Sequence, residues 1–253
     1  MFKRAIVRKP GKSMVGGITT AALGRPDHGL ALIQHEAYVS ALRSCGLEVT
    51  VLPADEHYPD STFIEDTALL TPKCAIITNP GALSRRGETA GITKVLGDFY
   101  SDIEKIREPG KVDGGDIMMV GSHFYIGLSG RTNKDGARQV IGYLEKHGMT
   151  GSTVKMGKIL HLKTGVSYLE RNNLVASGLF FESSEFQKFN KLKIDDDESY
   201  AANCIWVNDK VLVPKGYPKA KKAIEGAGYS TIDLDMSEFR KLDGGLSCLS
   251  LRF

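Results

Sequence analysis

The sequence predicts a mixed α/β fold in which similar units recur along the chain and close into a ring. Three observations predict it. Many short strand-like runs pair across turn signals, and the helical stretches between them are few and well separated. Small polar or acidic residues also recur at nearly even spacing. The 28 glycines among 253 residues agree with a fold that needs many tight turns.

Four stretches carry the periodicity of an amphipathic helix. In His28–Cys45 the apolar residues recur at helical spacing, and Gly46 follows as a residue type that commonly ends a helix. These apolar residues are Leu30, Ile33, Ala37, Ala41, Leu42 and Cys45. The other three helices are predicted at Arg86–Tyr100, Asp135–His147 and Tyr217–Glu225.

Ten short runs have the composition of strands. They are Arg4–Arg8, Glu48–Leu52, Thr67–Thr71, Cys74–Thr78, Ile117–Val120, Phe124–Gly127, Val166–Glu170, Leu174–Ser177, Cys204–Val207 and Val211–Pro214. Turn dipeptides such as Pro72-Lys73 and Gly121-Ser122 separate neighbouring runs, which predicts hairpins. The most polar region, Glu182–Ser199, is expected to be a long surface connection.

A repeat of pattern, without sequence identity, underlies these elements. Its units begin near Asp66, Asp113, His161, Asn203 and Cys248, at spacings of 47, 48, 42 and 45 residues. The last unit is short, and the N-terminal strand and helix are expected to complete it. Such closure would form a ring and protect the sheet edges. We therefore expect a single domain over residues 1–253.

The composition disfavours nucleic-acid and membrane partners. The net charge is only +3 with no long basic run, and no apolar run approaches the ~20 residues needed to cross a membrane. The N-terminus lacks the apolar core of a signal peptide. The four widely spaced cysteines are expected to be free thiols in a reducing compartment. We therefore expect a cytoplasmic protein.

Cys248 is the first candidate for chemistry, although its residue type alone favours a structural role. It follows two glycines in Asp243-Gly-Gly-Leu-Ser-Cys248, which would let the backbone turn tightly and present the thiol. An isolated free cysteine is more often a small buried hydrophobe, and a lone histidine between leucines, such as His161, is more often structural. If the units radiate from one centre, however, both unit starts would face it as nucleophile and general acid/base.

Acidic residues at the unit starts point to the kind of substrate. Glu65, Asp66 and Asp113 could simply cap turns, and converging on a thiol they would disfavour the thiolate. A cationic substrate reverses this argument, because a guanidinium would neutralise the carboxylates and bind several of them through its N–H groups. Three arginines, Arg85, Arg86 and Arg131, are candidates for binding a substrate carboxylate, against the alternative of solvated surface arginines.

Motifs for metal or phosphate binding do not occur in the sequence. The six histidines are scattered, without a zinc-ligand pattern or an EF-hand loop, and no glycine-rich phosphate loop is present. The sequence therefore disfavours metal catalysis.

Seven motifs, taken together in their order and spacing, resemble the dimethylarginine dimethylaminohydrolase family across almost the whole chain, most closely its bacterial members. They are Asp60-Ser-Thr-Phe-Ile-Glu-Asp66, Pro80-Gly-Ala-Leu-Ser-Arg-Arg-Gly-Glu88, Asp113-Gly-Gly-Asp116, Gly127-Leu-Ser-Gly-Arg-Thr-Asn133, Leu160-His-Leu-Lys-Thr-Gly165, Ser199-Tyr-Ala-Ala-Asn-Cys204 and Asp243-Gly-Gly-Leu-Ser-Cys248. The resemblance implies a pentein fold, an α/β-propeller of five ββαβ modules with pseudo-fivefold symmetry and a central active site.

The resemblance also implies an activity. Nω,Nω-dimethyl-L-arginine and Nω-monomethyl-L-arginine would be hydrolysed to L-citrulline and dimethylamine or methylamine, through a covalent cysteine thiouronium intermediate. No cofactor is implied, the partner is a small-molecule substrate, and relatives imply a homodimer.

Carried over motif by motif, the resemblance implies three catalytic residues: Cys248 as nucleophile, His161 as general acid/base, and Asp113. Asp113 and Asp66 would bind the guanidinium, with Glu65 beside them. The other implied substrate-binding residues are Asp60 for the α-amino group, Arg85 and Arg131 for the α-carboxylate, and Phe63, Ile18 and Leu242.

Two positions depart from some bacterial relatives, which have Glu at Asp113 and Leu at Ile18. The shorter Asp113 side chain would alter guanidinium placement slightly, and the change at Ile18 is mild. Ile18 lies in a glycine-containing loop that could act as a lid.

Two rival functions remain open at this point. One is arginine deimination or amidino transfer within the same superfamily, whose members are typically much longer. The other is a non-catalytic binding module on the same fold, in which Cys248 and His161 would be incidental.

Overall fold

The computed structural model describes residues 1–157 and 159–253. Within them the α-helices are α1 (His28–Ser44), α2 (Glu88–Leu96), α3 (Lys134–Lys146), α4 (Leu162–Gly165), α5 (Leu179–Glu182), α6 (Pro218–Gly226) and α7 (Ser237–Arg240). The strands are β1 (Arg4–Arg8), β2 (Glu48–Leu52), β3 (Ala68–Leu70), β4 (Ala75–Ile77), β5 (Ile103–Lys105), β6 (Ile117–Val120), β7 (His123–Leu128), β8 (Thr150–Lys155), β9 (Val166–Tyr168), β10 (Asn173–Ser177), β11 (Asn190–Ile194), β12 (Ile205–Val207), β13 (Lys210–Pro214), β14 (Ser230–Leu234) and β15 (Leu251–Arg252).

The strands form five three-stranded sheets among the described residues, all built on one pattern. In four sheets two consecutive strands form an antiparallel hairpin, and a third strand pairs parallel with the second one. A helix precedes each third strand, because a parallel pair needs a long crossover connection. The predicted ββαβ repeat is therefore confirmed.

The fifth sheet joins the two ends of the chain. Strand β15 pairs antiparallel with β1, and β1 pairs parallel with β2 after the crossover helix α1. The N-terminal strand and helix thus complete the last unit, as predicted from the repeat.

The predicted unit starts all lie just before the first strand of a sheet. Asp66 is in the 3-10 turn Ile64–Thr67, Asp113 is the N-cap of Gly114–Asp116, His161 directly precedes α4, Asn203 is the C-cap of Asp196–Ala202, and Cys248 is in Ser247–Leu249. Each module therefore presents its starting residue at an equivalent position.

The chain divides into two compact units, each with its own apolar interior. Unit 1 comprises Met1–Phe63 and Gly165–Arg252 and holds three of the sheets, whereas unit 2 comprises Ile64–Thr164 with Phe253 and holds the sheets β3–β5 and β6–β8. Unit 1 contains two clusters of buried apolar side chains and unit 2 contains one. The single domain over residues 1–253 stays a prediction.

Helix α1 buries only the last part of the predicted apolar stripe, where Ala41 and Leu42 are buried. Leu30 and Ile33 are exposed, the latter by 67%, whereas Gln34 and Tyr38 are buried. The Tyr38 hydroxyl donates to the Leu246 carbonyl (2.9 Å), and Gln34 is hydrogen-bonded as well. Because these polar groups find partners inside unit 1, hydrophobicity alone selects the wrong residues in the first part of the helix.

The prediction of a surface connection over Glu182–Ser199 is also wrong in part, because this region contains strand β11. This strand pairs parallel with β10 and buries Ile194, while Lys191 and Lys193 alternate with its apolar residues. Both ammonium groups lie over the Phe181 ring, at 4.9 and 5.5 Å from its centroid. The lysines made the strand look like a loop.

Across the described residues, no helix combines the length and apolar character required to cross a membrane.

Candidate active site

Unit 2 brings together three predicted site residues: Asp66, Asp113 and His161. One ligand atom from each lies within 4.8 Å of the others. His161 Nε2 is 3.1 Å from Asp113 Oδ2, and the other Asp113 oxygen accepts the Gly81 N–H at 2.8 Å. All three side chains are largely buried. The cluster therefore fixes two carboxylates against one imidazole ring.

The glycines of Asp113-Gly-Gly-Asp116 allow this close approach. A Cβ atom at Gly115 would lie only 2.8 Å from His161 Nδ1 and 3.1 Å from Asp66 Oδ1. The Gly115 N–H also donates to Asp66 Oδ1 at 2.9 Å. Glycine is needed here because any side chain would displace the imidazole or the carboxylate.

The neighbouring charges keep His161 protonated. Burial would lower its pKa, but the charge of Asp66, the hydrogen bond to Asp113 and the charge of Asp116 together raise the pKa to about 9. Burial raises the pKa of the Asp66 carboxyl group, but the charges of His161 and Arg85 outweigh burial and lower this pKa to about 2. At neutral pH the site therefore contains an imidazolium beside carboxylates.

Asp116 is a fully buried carboxyl group for which the sequence suggested no role. It accepts hydrogen bonds from the Leu162 N–H (3.0 Å) and the Ser129 hydroxyl (2.6 Å). Ser129 Oγ in turn accepts the Arg131 N–H at 2.9 Å. Asp116 thus ties the segment that carries His161 to the segment that carries Arg131, and burial raises its pKa to about 6.

Arg85 is buried between two carboxylates of unit 2. Its Nη1 lies 2.5 Å from Asp66 Oδ2, and its Nε and Nη2 donate to the two oxygens of Glu88 at 3.0 and 2.8 Å. This two-point pairing matches the fork of the guanidinium to a carboxylate. A role for Arg85 in binding a substrate carboxylate stays a prediction, as does that of the half-buried Arg131.

Glu65 has a cationic partner that the sequence did not reveal. The Lys163 ammonium lies 2.6 Å from Glu65 Oε1, and both side chains are mostly buried. Two residues after His161, Lys163 therefore places a positive charge against a carboxylate predicted to lie beside the substrate.

Unit 1 holds a second group of predicted residues: Asp60, Ile18 and Leu242. The Ile18 N–H donates to Asp60 Oδ1 at 2.9 Å, and Asp60 is buried. A Cβ atom at Gly17 would lie 2.9 Å from Asp60 Oδ1 and 3.3 Å from Leu242 Cδ1, so the loop packs closely on both residues. Ile18 itself is exposed, as a lid residue would be.

Phe63 packs within unit 1. Its ring meets the Phe239 ring edge-on, with centroids 6.2 Å apart, and it fills the space where Gly244 would otherwise carry a Cβ atom. These contacts place Phe63 against the glycine turn that leads to Cys248; direct contact with a substrate stays a prediction.

Cys248 differs from the buried cysteines of the chain. It is half-buried in a turn closed by the Cys248 N–H, which donates to the Gly245 carbonyl at 3.2 Å, and the Gly245 N–H lies 3.4 Å from Sγ. Cys204, by contrast, is fully buried, and burial raises its pKa to about 12. All four cysteines are free thiols.

The cluster of Asp66, Asp113 and His161 also has ligand types that could hold a metal ion. Metal binding needs a neutral imidazole, so a proton would compete with the metal at a histidine whose pKa is about 9. Two carboxylates beside an imidazolium suit a planar organic cation better, because it supplies several N–H donors.

Five ββαβ modules, buried carboxylates around a protonated histidine, and a thiol in a glycine turn define the pentein class of enzymes that modify guanidines. A family model described as "N,N dimethylarginine dimethylhydrolase, eukaryotic" matches residues 27–172. The chain is 56% identical to the N(G),N(G)-dimethylarginine dimethylaminohydrolase of Pseudomonas aeruginosa, over 100% of both chains. The chain therefore belongs to the dimethylarginine dimethylaminohydrolase family and is a hydrolase of C–N bonds in linear amidines.

Two solved structures match this chain closely. Each has a TM-score of 0.99, 56% identity and full coverage of both chains. One is a histidine-to-glycine variant of dimethylarginine dimethylaminohydrolase as an adduct with S-methyl-L-thiocitrulline. The other is a cysteine-to-serine variant of the Pseudomonas aeruginosa protein complexed with citrulline. The pentein fold implied by the sequence motifs is thereby confirmed.

Proposed function

We propose that this chain hydrolyses Nω,Nω-dimethyl-L-arginine and Nω-monomethyl-L-arginine to L-citrulline, releasing dimethylamine or methylamine. The buried cluster of Asp66, Asp113 and His161 carries the proposal, because it combines acceptors for a guanidinium with a proton donor. Family membership supports the choice of methylated arginine, and the structures with S-methyl-L-thiocitrulline and citrulline support the same ligand class.

In the first half of the proposed reaction the Cys248 thiolate attacks the guanidinium carbon. A C–S bond forms, and the π electrons of the C=N bond move to nitrogen. The tetrahedral adduct then expels dimethylamine as the C–N bond breaks, and the His161 imidazolium donates its proton to the leaving nitrogen. An S-alkylthiouronium on Cys248 and a neutral His161 remain.

In the second half, water attacks the same carbon while neutral His161 takes up one of its protons. The new C–O bond forms, the C–S bond breaks, and the Cys248 thiolate leaves with its electron pair. As the citrulline carbonyl forms, the second proton of that water passes to solvent, where it protonates the amine released in the first half. The products are L-citrulline, the protonated amine and the starting thiolate–imidazolium state, so no external oxidant, reductant or cofactor is needed.

The remaining predicted residues would orient the substrate. Asp66 and Asp113 would accept guanidinium N–H groups, with Glu65 beside them, and Asp60 would accept the α-amino group. In this scheme Arg85 and Arg131 bind the α-carboxylate, and Ile18, Phe63 and Leu242 line or close the site. Burial of Asp60 and Asp113 supports these roles, because a carboxylate shielded from water binds a cation more strongly.

A product assay tests the proposed function. Purified protein is given dimethylarginine or arginine, and citrulline, dimethylamine and ammonia are measured separately. We expect citrulline and dimethylamine in equal amounts from dimethylarginine. Ammonia from arginine as the preferred reaction would show a deiminase instead, and tight binding without turnover of either compound would show a binding module.

Replacing the nucleophile should abolish the reaction. For Cys248→Ser we expect turnover to fall by more than about 10⁴-fold, because removing a covalent nucleophile disables the whole catalytic set. The matched control Cys45→Ser, another half-buried thiol of the chain, should keep wild-type rates. His161→Gly should form the alkylthiouronium, detected by mass spectrometry, better than it hydrolyses it. Turnover above trace in Cys248→Ser would contradict the assignment.

We also propose that the protein acts in the cytoplasm as a homodimer and does not bind nucleic acid. The free thiols and the small net charge support the first and last points. Sedimentation velocity over a range of concentrations measures the oligomeric state, and a monomer at all concentrations would contradict the dimer.

A further inference from the structure

Asn203 occupies the one unit start to which the proposed reaction assigns no role. Its side chain is 7% exposed and makes two hydrogen bonds, both to the residue before Cys248. Its Nδ2 donates to Ser247 Oγ at 3.1 Å, and its Oδ1 accepts the Ser247 N–H at 2.9 Å. One carboxamide therefore holds both the backbone and the side chain of Ser247.

The same carboxamide packs against the backbone of Gly245. A Cβ atom there would lie 2.5 to 2.8 Å from the Cγ, Oδ1 and Nδ2 atoms of Asn203, closer than real side chains approach. Gly245 is the residue whose carbonyl accepts the Cys248 N–H and whose N–H lies 3.4 Å from Sγ. Asn203 thus contacts both residues that determine where the thiol sits.

The segment around Asn203 supports the turn at a further point. The Tyr200 hydroxyl donates to the Gly244 carbonyl at 2.8 Å, and the Asn203 N–H donates to the Tyr200 carbonyl at 3.2 Å. Residues 200–203 and 244–247 are therefore joined by side-chain hydrogen bonds and by direct packing. This arrangement leaves little freedom for the backbone that presents Cys248.

From these contacts we infer that Asn203 is the positioning residue of the nucleophile. Acting through Ser247 and Gly245, it fixes the Cys248 sulfur in the orientation needed to attack the guanidinium carbon. The inference rests on the proposed function of Cys248 as nucleophile. It matters because reacting groups must be held in a near-attack arrangement, and a misplacement of about 1 Å can cost about 100-fold in rate.

Three variants separate positioning from charge. Asn203→Leu removes both hydrogen bonds at similar volume. Asn203→Asp keeps an acceptor for the Ser247 N–H and offers a second oxygen to its hydroxyl, but it adds a negative charge near the thiol. Ser247→Ala keeps the backbone hydrogen bond to Asn203 and removes the hydroxyl, which contacts both Asn203 Nδ2 and, at 4.0 Å, Cys248 Sγ. For each we would measure kcat and KM, and the pH dependence of Cys248 alkylation by iodoacetamide, with Cys45 as reference thiol in the same mass spectra.

Gln34 offers a matched control elsewhere in unit 1. It is also a buried amide with two hydrogen bonds, its Nε2 donating to Ser237 Oγ at 2.8 Å and its Oε1 accepting the Glu238 N–H at 3.1 Å. Gln34→Met therefore removes the same number and kind of contacts. It should lower the melting temperature and leave kcat and the Cys248 alkylation profile unchanged.

For Asn203→Leu we expect kcat to fall by about 100-fold with KM changed by less than about threefold, because the interaction acts on the transition state. Its Cys248 alkylation should slow and shift to higher pH, while Cys45 does not change. Asn203→Asp should recover most of kcat, with alkylation shifted to higher pH by the added charge. Ser247→Ala should fall between the wild type and Asn203→Leu.

Wild-type kcat in Asn203→Leu, or equal losses in Asn203→Leu and Gln34→Met, would overturn the inference. If Asn203→Leu does not fold, wild-type kcat and alkylation in Ser247→Ala would overturn it. Absence of dimethylarginine turnover in the wild type would instead refute the proposed function, because the alkylation profiles need no substrate and still report on the thiol.

Discussion

His161 shows how three carboxylates decide the protonation of one imidazole. Buried alone it would be neutral at pH 7, yet Asp66, Asp113 and Asp116 bring its pKa to about 9. The imidazolium can therefore donate to a leaving amine without first taking a proton from water. A guanidinium bound to the same carboxylates would oppose that charge and favour release of the proton when the amine departs.

Removing one of these carboxylates should be visible on the imidazole. In Asp113→Asn we expect the His161 pKa to fall from about 9 towards its usual value, because the charged hydrogen-bond acceptor is lost. NMR titration of the imidazole C–H signals measures it. The exposed Asp135→Asn is the control and should leave the titration unchanged. An unaltered His161 titration in Asp113→Asn would contradict the assigned cause.

The same pKa makes stability depend on pH in a defined direction. The folded-state pKa of His161, about 9, is above the ordinary histidine pKa of 6.5, so its contribution to stability is fully present below pH 6.5 and is lost as the pH rises through 9. The free energy of unfolding of the wild type, measured in urea, should therefore fall relative to that of His161→Gln between pH 6 and pH 9.5. A constant difference would argue against a raised pKa.

At the scale of elements, the short turns before the hairpins must bring segments into close contact. Gly115→Ala would place a methyl group 2.8 Å from His161 Nδ1, so the ring must move. We expect kcat to fall by about 100-fold, since small displacements of catalytic groups carry such costs. In the matched control Gly130→Ala the new atom meets nothing within 4 Å, and kcat should stay at the wild-type value. Equal kcat in the two variants would contradict this explanation.

The elements that the sequence predicted best are the hairpins, and those it missed include the third strands of four sheets, β5, β8, β11 and β14, although the third strand β2 of the fifth sheet was predicted. Runs such as Ile117–Val120 are apolar and bounded by turn residues, so their position follows from local signals. Strands β8, β11 and β14 pair at one edge of their sheets, bury fewer side chains and contain Thr, Ser and Lys. Their pairing depends on the neighbouring strand, which no local pattern contains.

Within the candidate site, too, the sequence predicted some features and not others. Chemical roles could be proposed from the sequence for the unit-start residues, because carboxylates, a histidine and a thiol stand at these positions. The buried pairs Lys163–Glu65 and Arg85–Glu88 and the links made by Asp116 could not, because each depends on which side chain meets which after folding. Asn203 illustrates both cases: the sequence predicted its position in the repeat, whereas only the structure reveals its contacts with Ser247.

At the scale of the whole molecule, one module is made from both ends of the chain. Leu251 of β15 is buried and pairs with Ile6 of β1. Leu251→Ala should lower the free energy of unfolding by roughly 3 kcal/mol, through lost burial and the cavity it leaves. Urea unfolding measures this, and the exposed Leu83→Ala should have almost no effect. A loss as small as that of Leu83→Ala would mean that β15 is not needed for closure.

The closing strand pair also affects synthesis of the protein on the ribosome. Strand β1 emerges early, but its antiparallel partner β15 is made only after the other four modules. Until then one edge of β1 is unpaired in the growing chain, and such edges can recruit other chains. Cys248 lies in the turn just before β15, so the thiol appears only when that exposed edge is about to be covered.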